Sequence, residues 1–192
     1  MKFRRAIGAV ALPITAFLGP LGPSLAADKY VVDPEHVSVN FTIQHMKWAK
    51  YQGTVRKIEG EIYFDKVDVS KSSVKIAMTV ASIDTLNVPR DTELQGIIGF
   101  EFPNMTFEST GAQKTGDKTG TVTGNFSMAG VVKPLTLDVI YDGEGVSNWD
   151  GRTRVGFSAT GALNTNEFGL TGLAALDIGP ELRFTIEVEG YK

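Results

Sequence analysis

From Val37 the chain reads VSVNFTIQ, with Val37, Val39, Phe41 and Ile43 in one phase and Ser38, Asn40, Thr42 and Gln44 in the other. Successive side chains of a strand point to opposite faces, so strict period two over this length predicts a strand with one wet and one buried face. The pattern returns in KIEGEIYF, where Ile58, Gly60, Ile62 and Phe64 share a face, and in SVKIAMTV, where Val74, Ile76, Met78 and Val80 do. It continues through NMTFES, TVTGNFSM, PLTLDVIY, RVGFSATGAL and LRFTIEVEG. With a short opening strand at YVVD, roughly eight to nine strands are predicted in one antiparallel system.

Turn signals separate these runs. KTGDKTG at 114–120 and DGEGVSNWDG at 142–151 join successive strands, and MAGVVKP marks a tight break ending in Pro134. Consecutive hairpins imply an up-and-down meander. One helix is predicted over PRDTELQGIIG (89–99), because Pro89 suits its first turn, Asp91 and Glu93 its positive end and Gly99 its stop. HMKWAKYQG, from His45 to Gly53, has no clear period and is expected to be a non-strand segment covering one end of the sheet.

So many half-buried strands, with too little helix to cover them, must pack as a sandwich or close into a barrel. The inward candidates are Phe41, Phe64, Met78, Phe107, Phe126, Met128, Phe157 and Phe184, rich in aromatics and free of charge. A packed core is the simpler reading of such a stripe, whereas an eight-stranded barrel can also hold one small ligand.

The 192 residues suffice for one domain with a real core, and no second domain is needed. Residues 1–26 have the order of a secretory signal, with Lys2, Arg4 and Arg5, then an apolar run from Ala6, then small residues; cleavage is expected after Ala26 or Ala27, leaving a domain at 28–192 in the periplasm. The apolar run is short for a bilayer and broken by Pro13, Pro20 and Pro23, so no stable membrane anchor is expected. Loss of three positive charges takes the net charge from −3 to about −6, a poor match to nucleic acid or anionic membrane surfaces. The absence of cysteine excludes thiol nucleophiles, iron–sulfur clusters and cysteine zinc sites.

Catalytic signals are weak. His36 and His45 are the only histidines, nine residues apart; a straight strand would separate them by about 30 Å and send them to opposite faces, so any metal site would need distant carboxylates. GFSATG at 156–161 has the wrong spacing for a nucleophile elbow and lies inside an alternating strand, making Ser158 an outward serine. Glu59, Glu61, Glu187 and Glu189 occupy the polar phase of strands. Arg90 and Asp91 diverge by about 100° on a helix. They read equally as an anion contact at a barrel mouth and as dipole-compensating residues on an exposed turn.

The order of YVVDPEHVSVNFTIQHM, GEIYFD, ASIDTLNVPRDTELQG, FEFPNMTFEST, GNFSMAGVVKPLTLDV and GALNTNEFGL resembles the YceI-like family of secreted bacterial proteins. The resemblance implies an all-β, extended lipocalin-like antiparallel barrel with one or two short helices. It further implies non-enzymatic binding or transport of a polyisoprenoid or other long-chain lipid, without metal or cofactor, with a homodimer as an assembly to test. Carried over, Phe41, Ile43, Phe107, Phe126, Met128 and Phe157 would line the cavity, and His45, Trp48, Arg90 and Asp91 would lie near its ends. The chain departs from the family pattern at Glu93, Val132 and Thr165, where histidine, threonine and arginine are common. The rival expectation is an interaction or stress-response module whose barrel is filled by side chains.

Overall fold

The computed structural model describes residues 27–192, so the expected signal segment lies outside the described residues. The strands are β1 (Asp28–His45), β2 (Ala49–Val55), β3 (Ile58–Phe64), β4 (Ser73–Thr79), β5 (Ile83–Asp84), β6 (Asn104–Lys114), β7 (Thr119–Met128), β8 (Val131–Val146), β9 (Thr153–Asn164) and β10 (Ile178–Tyr191). Helix α1 (Val88–Ile98) falls between β5 and β6. Strands β1, β3, β4, β6, β7, β8, β9 and β10 pair antiparallel with their neighbours in that order, and β10 returns to β1 to close an eight-stranded barrel. β2 and β5 are two further strands outside this ring.

YVVD and VSVNFTIQ, predicted as separate strands, are one. The residues between them, Asp33 to His36, form a register slip against β10. The slip exchanges the phase, so that Tyr30 and Val32 are buried before it, while Val37, Val39, Phe41 and Ile43 face the lumen after it. β1 also divides its other edge, pairing Asp28–Val31 with β3 and Val39–His45 with β2.

The expected non-strand cover at HMKWAKYQG is a hairpin instead: a turn at Met46–Trp48 leads straight into β2. Tyr51, Gly53 and Val55 do alternate with Lys50, Gln52 and Thr54, but the preceding turn hid so short a run. Two turn boundaries also shift. Ala129 and Gly130, both with positive φ, make a two-residue turn between β7 and β8, so Pro134 lies inside β8 rather than at the end of a break. β8 itself runs on to Val146, leaving only residues 147–152 as the β8–β9 loop.

Helix α1 follows its sequence signals. The Asn87 side chain accepts from the Arg90 N–H, proline occupies the first turn, and Gly99 stops the helix at φ 102°. Short 3-10 segments at Thr165–Phe168 and Thr171–Leu176 lie at the same end of the barrel. This helix end contrasts with the terminal end, where β1 begins, β10 finishes and the β3–β4, β6–β7 and β8–β9 loops turn. No helix among the described residues is long and apolar enough to cross a membrane.

Candidate functional site

All eight inward candidates, Phe41, Phe64, Met78, Phe107, Phe126, Met128, Phe157 and Phe184, line one cavity of about 970 Å³ inside the ring. Ile43 is on the same wall. The barrel is therefore not filled by its side chains, and the volume lies at the upper end of the ~300–1,000 Å³ usual for small-molecule sites. The rings leave the space open because they lie along the wall. Phe107 extends over Gly124 of β7 and Phe184 over Gly161 of β9, where an added Cβ would come within 2.6 and 2.5 Å of a ring carbon. On β7 the lining runs from Gly120 to Met128, about 27 Å of strand and on the order of 20 Å along a tilted barrel axis.

At the terminal end the cavity reaches a polar rim. Lys66 and Ser70 come from the β3–β4 loop and Lys114 and Lys118 from around the β6–β7 turn, beside the exposed Val67. At the helix end it meets a plug of Leu94, Ile97 and Ile98 from α1 with Leu170 and Leu173 from the 3-10 segments. The sequence predicts the helix that carries Leu94, Ile97 and Ile98 but neither a plug nor a lysine rim, because its inward candidates come from strand alternation. FGLTGLAAL, apolar residues among glycines in a loop, was the available signal for Leu170 and Leu173.

Arg90 and Asp91 meet on a common partner, the buried Thr85. Arg90 Nε donates to Thr85 Oγ1 at 2.8 Å and Nη2 to its carbonyl at 2.7 Å. Thr85 in turn donates to Asp91 Oδ1, from N–H at 2.8 Å and from the hydroxyl at 2.5 Å. The Arg90 guanidinium also lies 4.4 Å from the Tyr51 ring centre, and Tyr51 stacks on His45 at 4.4 Å. Asp91 is thus a strut that does not line the cavity, while Arg90 forms part of its wall. A second, shallower cavity of about 350 Å³ lies on the outer side of Arg90, bounded by His45, Asn87, Glu93 and Leu176 among others. Arg90, Tyr51, Leu94 and Ile178 border both spaces. Trp48 touches neither, being 83% exposed in the β1–β2 turn. Of the departures, Glu93 faces the outer cavity, Thr165 is buried against the main one with its hydroxyl on the Pro180 carbonyl, and Val132 is exposed.

Outside the barrel, at the terminal end, Asp33, His36 and Glu189 bring ligand atoms within 4.8 Å of one another. His36 and Glu189 are distant in sequence, as a histidine site here required. The donor set does not suit a cation, because Arg154 Nη1 already donates to Asp33 at 2.5 Å and to Glu189 at 3.1 Å. Burial would raise the Asp33 carboxyl, but hydrogen bonds from Arg154, His36 and the Glu35 N–H hold it at about 2. The same hydrogen bond to Asp33 raises the His36 imidazole above its ordinary value. The arrangement pins the β1 register slip to β9 and β10. Ser158 Oγ, on the outer face, lies 2.8 Å from both Asp142 and Glu187, with no histidine beside it. Neither cluster opens onto the lumen.

The lumen is a binding space: long, apolar, and polar only at its rims. The YceI-like domain profile matches residues 30–190. A UPF0312 protein from Azotobacter vinelandii is 36% identical over 197 residues, covering 98% of each chain. Among solved structures, BcnA from Burkholderia cenocepacia superposes with a TM-score of 0.73 at 18% identity, covering 82% of this chain and 98% of its own. A polyisoprenoid binding domain from Saccharophagus degradans does so with a TM-score of 0.64 at 12% identity, covering 84% of this chain and 97% of its own. At these identities the two structures share the fold.

Proposed function

Because the chain belongs to the YceI-like family, we propose that it binds a long-chain amphipathic lipid, isoprenoid in class, by enclosing the tail in the barrel, and that it performs no chemical step on it. The observation carrying this reading is the 970 Å³ apolar lumen. Each buried methylene contributes about 0.8 kcal/mol, so a long chain binds tightly with few polar contacts. That frees affinity from the polar positions at which this chain departs from its family. The likeness to a polyisoprenoid binding domain supports the ligand class, and the secretory order of residues 1–26 supports a periplasmic location. The tail would meet Phe41, Ile43, Phe107, Phe126, Met128 and Phe157; Arg90 is the charged group at the helix end, and Lys66, Lys114 and Lys118 with Asp68 and Asp117 are those at the terminal rim.

Native mass spectrometry with lipid extraction, on protein purified from its own cell, is expected to find a bound lipid. Ala159, buried on the lumen wall, gives the paired variant. Ala159→Trp is expected to abolish uptake of isoprenoid quinones and prenyl phosphates while the barrel still folds. A protein that is empty as isolated and takes up neither class would overturn the reading. The rival, a surface-acting interaction module, predicts a filled barrel and unchanged behaviour of the Trp variant.

A further inference from the structure

Exposed apolar side chains are unevenly shared between the two ends. Of the thirteen exposed large hydrophobic residues among the described residues, eight belong to the helix end: Met46, Trp48, Leu86, Val88, Phe100, Phe102, Val132 and Leu176. Leu86 is 90% and Val88 76% exposed, on either side of the α1 cap Asn87. Met46 and Leu176 are drawn together where the Met46 N–H donates to the Asp177 carbonyl at 2.6 Å. Leu176 borders the outer cavity itself, and Met46, Leu86 and Val88 are chain neighbours of its lining residues His45 and Asn87. Only the Arg90 and Tyr51 side chains, with Leu94 and Ile178, separate that cavity from the lumen.

We infer that this end docks onto the surface of a phospholipid bilayer, with Trp48, Leu86 and Val88 entering the interfacial layer. Trp48 stands at a hairpin tip between Lys47 and Lys50, which are free of ion pairs among the described residues and fit the phosphates of lipid head groups. An aromatic ring flanked by lysines suits the boundary between head groups and acyl chains, where the ring finds apolar contact and the ammonium groups reach anionic oxygen. Two acidic side chains near this collar are engaged elsewhere. Asp84 pairs with Arg56, and Asp91 is turned onto Thr85, leaving Glu93 on α1, Glu101 between Phe100 and Phe102, Glu167 and Asp177 as exposed acids of this end. Charge at this end is near balance, so insertion of apolar groups, rather than long-range attraction, makes the contact. The choice of a bilayer over a protein partner rests on the proposed lipid cargo, which a carrier must collect from a membrane. Docking brings the wall formed by Arg90, Tyr51, Leu94 and Ile178, which borders both cavities, toward that source.

The chain has two tryptophans, Trp48 at this end and Trp149, 96% exposed, at the other, which makes each end separately visible. The full chain is mixed with phosphatidylcholine vesicles and followed by flotation and tryptophan emission. With Trp149→Phe the remaining Trp48 emission is expected to shift to the blue on adding vesicles, whereas with Trp48→Phe the emission of Trp149 stays unchanged. The triple variant Trp48→Ser, Leu86→Ser, Val88→Ser is expected to lower the vesicle-bound fraction about tenfold or more, because three insertable apolar side chains are lost. All three are solvent-exposed in the fold, and far-ultraviolet circular dichroism checks that the variant is intact. A shift reported by Trp149 instead, no shift from Trp48, or vesicle binding unchanged in the triple variant overturns the proposal, the last by assigning membrane contact to another part of the chain. Binding of the collar to a protein without vesicle association overturns it as well. Lipid extracted from the unsubstituted protein keeps the two readings apart: a loaded barrel that does not bind vesicles sinks the docking surface alone, and a vesicle-binding barrel that is always empty sinks the cargo alone.

Discussion

At the helix end, Arg90 and Asp91 secure Thr85 from five and six residues away. At the terminal end, Tyr30 donates to Glu144 across 114 residues, Arg154 to Asp33 across 121, and Lys192 to Asp28 across 164. At the first end α1 is capped by its own neighbours, while the Met46 N–H to Asp177 carbonyl bond ties the β1–β2 turn to the distant 3-10 segments that complete the plug. The second is closed by charges that meet only when the ring is complete. The helix end therefore combines a locally capped helix with a long-range backbone tie, and the terminal end rests on side-chain contacts between residues far apart in sequence, so local unfolding is expected to begin at β5 and α1.

The largest expected effect tests the plug. Phe168 is buried beside Leu170 and packs edge-on against Phe126 with ring centres 5.6 Å apart. Phe168→Ala should lower stability by about 3–5 kcal/mol in denaturant unfolding; a loss under ~1 kcal/mol would show that the 3-10 segments are not structural. Next, Asp91→Ala leaves the buried Thr85 N–H without its acceptor and should cost about 1–3 kcal/mol. Hydrogen exchange is expected to quicken in β5 and α1 alone, and a spread into β9 or β10 would break the contrast between the ends. Tyr30→Phe should cost about 1 kcal/mol, but with faster exchange in two segments far apart in sequence, the start of β1 and the end of β8. Acceleration in only one of them would mean that the terminal end is not held as one piece.

The smallest effect is the response to pH, which should belong to the terminal end. Asp33 and Asp150 are held at about 2 against an ordinary 3.8, Asp33 by hydrogen bonds that outweigh its burial and Asp150 chiefly by the Arg152 N–H and the Arg154 side chain. Their folded values are depressed, so their contribution is whole above about pH 4 and is lost as pH falls toward 2. His36 is raised above 6.5 by Asp33, so its contribution is whole below that value and is lost as pH rises through the raised one. The unfolding midpoint should therefore be highest between about pH 4 and 6.5. His36→Gln should flatten the decline above neutrality and leave the acid side alone; a neutral decline that survives the substitution would move its origin away from this cluster.

The unequal reach of these contacts also explains what the sequence made visible. Strand phase, the α1 boundaries and the eight inward candidates of the lumen, six of them phenylalanines, are written in runs of a few residues, where alternation and capping act. Asn87, Pro89 and Gly99 mark a helix whatever surrounds it. The Arg90–Asp91 pair was visible as a feature and opaque as a device, because its shared partner Thr85 carries no pattern of its own. Arg154 with Asp33 was beyond reach, since nothing local distinguishes a strand arginine that faces water from one that bridges three strands. Open space was equally illegible: the same stripe of phenylalanines suits a packed core, and it is the glycines against Phe41, Phe107 and Phe184 that reveal rings lying flat.

The slip at Asp33–His36 lets one strand keep a single interior through a change of phase, with Tyr30 and Val32 before it and Val37 onward after it on the same inward face. It acts as a parity bit in the chain. Side chains within it can be exchanged, but adding or removing a single residue there would turn Val37, Val39, Phe41 and Ile43 outward together, so natural changes of length at this point should come in twos.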